Sequence, residues 1–409
     1  MTAKRGRDKR RGRSLKTGPK AGNGVVVNGY SERWLRQGFP WVYREEVVGR
    51  TGSLVPGQVV RIRSRDGRTL GTGVWSEGKV EVRRFRTDDG PIDVAMLQER
   101  VTLARARRPL PPNTDAWRWI HGENDGLPGI RVDVYGGAVS ISLDSPSLAR
   151  LVDPLLGALQ QEASIDAAWV HARGGEGEDW SRVPLGQVLG RRPAGDVLVQ
   201  ERGVRVGVRP WDGGDAGLFS DMRGIRTWLE PHWRGRSVLN TFAYTGMFSV
   251  SAAIGGARTV HTVDLSDHYL DRARDNFRLN GLDPTEYAFT ANDTFKALDT
   301  LRRKGELFDV VIADPPSHSH SESGTWSVSK DLGRLVGACL RVLAPQGWLV
   351  VATNLGSMSP KEFKKLVLAG SHKVGRPLRL IHEGSPPLDF PAALDFPESR
   401  YLKCWVLQG

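Results

Sequence analysis

The chain has 409 residues, 39% hydrophobic and 25% charged, with a net charge of +12. That length predicts two or three domains of globular composition, and no apolar run reaches the roughly 18 residues of a membrane span. Only two cysteines, Cys339 and Cys404, are present. They exclude a disulfide framework and suit a reducing cytoplasm, as does a basic N-terminus without the apolar core of a signal peptide.

Residues 1–22 form a basic tail. Nine Lys or Arg stand against one acid, Asp8, within the first 20 residues. With almost no apolar residue it is expected to be disordered, and it suits either a grip on polyanions through counterion release or a solubilising role without a partner. Residues 23–90 read as a small β module, with a hairpin at Asp66-Gly67 and a short helix over Ser31–Gln37. Its basic residues include Arg61, Arg63, Arg65, Lys79, Arg83 and Arg84. Their alternation suits either a phosphate backbone or a plain solvated face. Residues 91–214 read as an α+β module. It opens with a basic helix over 92–108, followed by turns at Asn124-Asp125-Gly126 and Pro128-Gly129. A helix over Ser147–Glu162, a strand over Ala168–His171, a loop over Gly174–Gly177 and further strands in 195–209 complete it.

From 215 to 409 strands alternate with helices, which predicts an α/β domain with a mostly parallel, seven-stranded sheet. Strands are expected near 237–241, 259–263, 286–290, 308–313, 347–353, 378–383 and 400–407, with helices at 267–280 and 328–343. The most telling stretch is Ser237–Ser266: strand, Thr245-Gly246 turn, helix, strand, then Asp264. This is the layout of a nucleotide-handling half-domain, in which a strand-end carboxylate accepts from both ribose hydroxyls. Asp264 capping a helix in an ordinary βαβ unit is the plainer alternative. Neither G-x-G-x-x-G nor the P-loop pattern is present, so a phosphate-free adenosyl ligand, S-adenosylmethionine, fits better than a dinucleotide.

Asn292-Asp293 after the third strand could hold an adenine amino group or cap the next helix. Asp314-Pro315-Pro316-Ser317 follows a buried strand at the ligand-binding edge of such sheets. Its prolines remove two N–H donors and present a carboxylate and free carbonyls to a planar base. Thr353-Asn354 ends the next strand. Ser317–His320 reads as a polar loop, without the accompanying ligands of a metal site. Trp326 and Lys330 suit either base stacking and phosphate binding or helix packing.

Together these residues resemble bacterial ribosomal RNA methyltransferases that join a PUA domain to a Rossmann-like catalytic domain. The resemblance rests on G-F-P-W-V-Y (Gly38–Tyr43), H-G-E-N-D-G-L-P-G-I-R-V-D-V-Y (His121–Tyr135), A-G-L-F-S-D-M-R (Ala216–Arg223), N-T-F-A-Y-T-G-M-F-S-V (Asn240–Val250), V-D-L-S (Val263–Ser266) and D-P-P-S. It implies S-adenosylmethionine as cofactor. Tyr244, Thr245, Gly246 and Phe248 would line its methionine side, with Phe219 from the preceding segment. Asp264, Leu265 and Ser266 would lie at the ribose, Asn292 and Asp293 at the adenine, and Asp314 at the methyl. Asp314, Pro315 and Asn354 would face the target base.

The sequence departs from the family at one point. Members that methylate cytosine C5 carry a cysteine after the fifth strand, because C5 is too weak a nucleophile unaided. Here the chain reads A-T-N-L-G-S, with Asn354. A ring nitrogen such as guanine N7 already has its lone pair and needs positioning only. The leading expectation is therefore a cytoplasmic methyltransferase acting on large-subunit ribosomal RNA, with a homodimer compatible with the sequence. A small-molecule or protein methyltransferase, or a silent RNA-binding homologue, are the alternatives that RNA filter binding and cofactor thermal shifts would separate.

Overall fold

The computed structural model describes residues 22–173, 179–181, 183–321 and 324–409. The basic tail up to residue 21 and the loop expected at Gly174–Gly177 lie outside the described residues. Among the described residues two compact units form, one within residues 22–103, 144–163 and 179–183, the other within 104–143, 164–173 and 184–409.

In the first unit a six-stranded sheet runs in the order Trp41–Tyr43, Val80–Arg86, Thr69–Trp75, Val59–Arg63, Gly24–Val27, Val47–Thr51. Alternate strand residues Val25, Val27, Val60, Ile62 and Val82 close over Leu35 and Trp75 in one apolar core. The expected hairpin is present, its Gly67 at φ +85°. The short helix spans Gly29–Arg36, starting earlier than expected because Asn28 caps it by accepting from the Ser31 amide at 2.9 Å. The expected basic face is only partly formed. Arg83 and Arg84 are adjacent in one strand, so they cannot share a face. Arg84 is buried, its guanidinium donating to the carbonyls of Leu35, Leu70, Gly38 and Phe39 at 2.7–3.3 Å. It holds the G-F-P-W segment in place and is not available to a phosphate. The chain then enters a helix over Val94–Ala106, and Ser147–Glu162 divides into a 3₁₀ turn and the helix Val152–Glu162.

The second unit holds two larger sheets. One is five-stranded, ordered Gly186–Leu189, Ala167–Ala172, Ala138–Leu143, Ile130–Tyr135, Ala116–His121. The turn motif beside it has a buried ionic reason: Asp125 receives the Arg108 guanidinium at 2.5 and 3.1 Å and the His121 amide at 2.6 Å.

The other sheet has seven strands, labelled here β1 (Ser237–Thr241), β2 (Thr259–Asp264), β3 (Ala288–Ala291), β4 (Phe308–Ala313), β5 (Leu343–Thr353), β6 (Arg379–Gly384) and β7 (Lys403–Gln408). Their order is β3-β2-β1-β4-β5-β7-β6, with β7 antiparallel to both neighbours. Val238, Leu239, Val310, Val311 and Ile312 are fully buried, the signature of parallel strands covered on both faces. The helices are α1 (Met247–Ile254), α2 (Asp267–Leu279), α3 (Thr294–Arg303), α4 (Val328–Leu340) and α5 (Pro360–Val374). Strand order reverses between β1 and β4, which opens a crevice at their carboxyl ends.

One element differs from expectation: Ser317–His320 is no loop. His318–Ser321 pairs antiparallel with Gly324–Ser327 in a short hairpin. Trp326 on that hairpin is core and does not face a base. It packs beside Phe242 and Phe295, and its indole N–H donates to the Pro316 carbonyl at 2.7 Å. Among the described residues no helix is long and apolar enough to cross a membrane.

Candidate active site at the carboxyl edge of the seven-stranded sheet

The register of the sheet fixes the site. Val263, Thr241 and Ala313 lie side by side on β2, β1 and β4. Asp264 and Asp314 each follow that row by one residue, so two strand spacings, about 10 Å, separate them. Asp264 is in turn level with Ala291 of β3, two residues before Asp293.

Between β1 and α1 the chain turns through three left-handed residues, Phe242 (φ +54°), Tyr244 (φ +52°) and Gly246 (φ +77°). Two of them carry side chains, and such strain persists only where surroundings enforce it. Here the enforcement is Asp264, whose carboxylate accepts the Tyr244 amide at 2.8 Å and the Ser266 amide at 2.9 Å. Burial pushes the Asp264 carboxyl up, while the amides of Ser266, Tyr244 and Leu265 oppose that rise. A Cβ on Gly246 would lie 2.8 Å from the Ala273 Cβ, so its glycine serves the positive φ and the close seating of α1 on α2.

The remaining predicted residues divide by burial. Thr245 is 1% exposed, and its hydroxyl donates to the Gly217 carbonyl at 2.6 Å. Phe248 is core, under the Arg226 guanidinium. Ser266 caps α2 through the Tyr269 amide, and Asp293 caps α3 through the amides of Phe295 and Lys296. The Asn292 amide donates to the Asp264 carbonyl at 2.9 Å, tying the β3 loop to β2. By contrast Phe219 (44% exposed) and Leu265 (55% exposed) offer bare apolar surface. The Phe219 ring lies 5.0 Å from Tyr244, which in turn lies 4.6 Å from Tyr269. Tyr269 extends an aromatic wall and was not foreseen; its place three residues into α2 was the available signal.

Phe219 is held by a buried ionic network. The Arg226 guanidinium donates to the Phe219 carbonyl at 2.8 Å and to both Glu201 oxygens at 2.6 and 2.8 Å. Arg223 joins Glu201 to Asp389 and to the Ala116 carbonyl. The A-G-L-F-S-D-M-R segment is thus pinned from both sides, by Arg226 and by Thr245.

The β4–β5 edge is built differently. Asp314 is partly exposed and Pro315 buried. Burial, reinforced by the neighbouring Asp221 carboxylate and opposed by Arg226, pushes Asp314 up to about 7. Asp221 itself accepts from the Tyr401 hydroxyl at 2.8 Å. Ser317 donates to the Asn354 side-chain oxygen at 2.7 Å, which joins the ends of β4 and β5 as their shared edge implied. Lys403, 8% exposed, clamps the following residue: its ammonium donates to the Leu355 carbonyl at 2.8 Å and the Tyr401 carbonyl at 2.9 Å. Burial lowers its pKa. Asp221 lies inside the A-G-L-F-S-D-M-R motif but was not singled out, and Tyr401 was not foreseen because Asp221 lies 180 residues away. Both cysteines are fully buried; burial pushes the Cys339 thiol up to about 12 and Cys404 well above its ordinary value.

A carboxylate, exposed apolar surface and aromatic rings at one sheet edge fit a ribose, a purine and a thioether-like chain. Comparisons with known proteins agree. The S-adenosylmethionine-dependent methyltransferase family matches residues 187–393, and a PUA-like domain matches residues 25–86. The ribosomal RNA large subunit methyltransferase I of Salmonella arizonae is 32% identical over 93% of this chain and 96% of its own length. That of Aeromonas salmonicida is 32% identical over 94% of this chain and 98% of its own. Among solved structures, SMU.776, titled a methyltransferase and complexed with SAH, superposes with a TM-score of 0.85 at 25% identity, covering 94% of this chain and 100% of that one. A SAM-dependent methyltransferase structure from Streptococcus mutans gives a TM-score of 0.83 at 25% identity, with the same coverage. The chain therefore belongs to the S-adenosylmethionine-dependent methyltransferases, in the group that carries a PUA-like domain ahead of the catalytic sheet.

Proposed function

We propose that this enzyme methylates a base of large-subunit ribosomal RNA, and that the methylated atom is a ring nitrogen of the guanine N7 type. The RNA substrate is supported by the near full-length likeness to ribosomal RNA methyltransferases. The observation that carries the choice of nitrogen is Asn354, hydrogen-bonded to Ser317 at the end of β5, while both cysteines are sealed in the core. No thiolate is offered for addition to a pyrimidine C6.

S-adenosylmethionine supplies an electrophilic methyl group when bound. Asp264 would hold its ribose, Asn292 and Asp293 the adenine, and Phe219, Leu265, Tyr244 and Tyr269 would shield it from water. Thr245, Gly246, Phe248 and Ser266 act behind these, by fixing the backbone. Asp314, Pro315 and Asn354 would present the target. Guanine shows two acceptors side by side, N7 and O6. An Asp314 that keeps its proton near neutrality can donate to O6 and leave N7 free for the methyl. The base must be unpaired or extruded to reach this edge.

In this reading residues 23–90 are the PUA-like RNA-binding domain, 91–214 a middle domain and 215–409 the catalytic domain, with the tail of 1–22 adding non-specific grip. A ribosomal substrate places the enzyme in the cytoplasm. Self-association has one support, exposed Leu380 and Ile381 on the edge strand β6, which sedimentation would test. Nucleoside mass spectrometry of ribosomal RNA from a deletion strain tests the activity. Loss of an N-methylated guanosine is the expected result; loss of 5-methylcytidine instead would refute the choice of atom.

A further inference from the structure

Helix α5 carries a charge pattern that its fold does not require. It is the helix that follows β5, starting six residues after Asn354, and Ser359 caps it. Lys361, Lys364 and Lys365 lie on one exposed face at helical spacing and, with Leu368, Ala369 and His372, line one open depression. From Lys361 to His372 this face runs about 16 Å along the axis.

Two observations set these lysines apart. On α2 and α3 these surface arginines each pair with an acid of their own helix: Arg274 with Asp271, Arg278 with Asp275, and Arg302 and Arg303 with a shared Asp299. Among the described residues no such pair is found for Lys361, Lys364 or Lys365, and Glu362 is the one acid on α5. Second, Lys361 lies in the first turn of α5, at the positive end of the helix dipole, where a cation is disfavoured, and Lys364 and Lys365 extend its charge into the next turn. His372 and Lys373, in the last turn, are where the dipole favours them. The helix is also rigidly seated. A Cβ on Gly370 would lie 2.4 Å from the Gly333 carbonyl, so α4 and α5 cross at backbone contact.

We infer that the Lys361–Lys364–Lys365 face binds the phosphate backbone of the RNA strand that delivers the target base, as a contact additional to the PUA-like domain and the tail. The inference rests on the RNA substrate proposed above. Cations without an ion-pair partner, at the start of the helix that follows β5, would hold the strand beside the edge where its base is presented, and phosphate contacts of this kind set position, not sequence. Three neutralised phosphates on a single strand contribute about 2 to the slope of log affinity against log salt.

The test is the full chain with Lys361→Gln, Lys364→Gln and Lys365→Gln combined, beside Lys304→Gln as a control for an ordinary surface lysine. Protein-free 23S ribosomal RNA is the probe. The expected result is a salt slope reduced by about 2, affinity lowered about tenfold or more at low salt, S-adenosylmethionine affinity unchanged by calorimetry, and the control like wild type. An unchanged slope in a triple variant whose wild type binds and methylates the RNA would overturn the inference and leave the substrate reading standing. Wild-type protein that neither binds nor methylates the RNA would overturn both. If methylation of assembled subunits falls while naked RNA is bound as before, the face meets a protein and the inference is wrong.

Discussion

The two halves of the catalytic edge are finished to different degrees. On the β2–β3 side both candidate acids are engaged by backbone: Asp264 by the Tyr244 and Ser266 amides, Asp293 by the start of α3. On the β4–β5 side Asp314 is partly enclosed beside another carboxylate, and its proton is held to about pH 7. The first half is held by the chain's own backbone amides. The second keeps an unsettled charge state at the place where chemistry is proposed, as expected where function perturbs ionisation.

The strongest way to break this contrast is Asp264→Ala. It removes the proposed ribose acceptor and also releases the left-handed Tyr244, so donor binding measured by calorimetry should fall more than about 100-fold, two charge-assisted bonds of about 1.5–3 kcal/mol each. Asp314→Ala should lower methyl transfer about 100-fold with donor affinity intact, a separation that single-turnover kinetics would show. Asp314→Asn sharpens the point, because an amide N–H can replace the carboxyl proton. It should retain most transfer and lose the pH dependence expected of wild type, a decline as pH rises through about 7. A rate that rises through that range would point to an amino-bearing base edge instead.

The same group bears on stability. Its native pKa is raised above the ordinary carboxylate range, so the native state binds a proton that the unfolded chain has lost. Stability should fall between about pH 4 and pH 7 and then level off, and Asp314→Asn should flatten that part of the curve in thermal melts. A smaller effect, about tenfold on transfer with donor affinity unchanged, is expected from Lys403→Met, which frees the Leu355 carbonyl next to Asn354. Smallest of all, Cys339→Ala and Cys404→Ala should leave transfer within about twofold while costing roughly 1 kcal/mol in stability.

Much of this edge was legible in the sequence because its parts are local. Fully buried parallel strands read as apolar runs, and each candidate acid closes or follows one: Asp264 ends β2, and Asp314 succeeds Ala313. The local signal was weaker where one residue type serves two ends. Thr245 and Gly246 read as ligand contacts, yet the threonine hydroxyl is committed to Gly217 and the glycine to packing on Ala273. What could not be read is long-range. Asp221 meets Tyr401 across 180 residues, and Arg223 meets Asp389 across 166. The hairpin of 318–327 was hidden by its polar composition, and the burial of Trp326 depends on Phe242 and Phe295 from other elements.

The double attachment of the Phe219 segment has a mechanical corollary. Thr245 grips it at Gly217, and Arg226 grips it at Phe219 itself. Segment and turn must then breathe together, so any opening that admits or releases the donor has to loosen both fastenings in one event. Amide protons from 217 to 219 and at Tyr244 should exchange with a single common rate, slowed in concert when the donor is present.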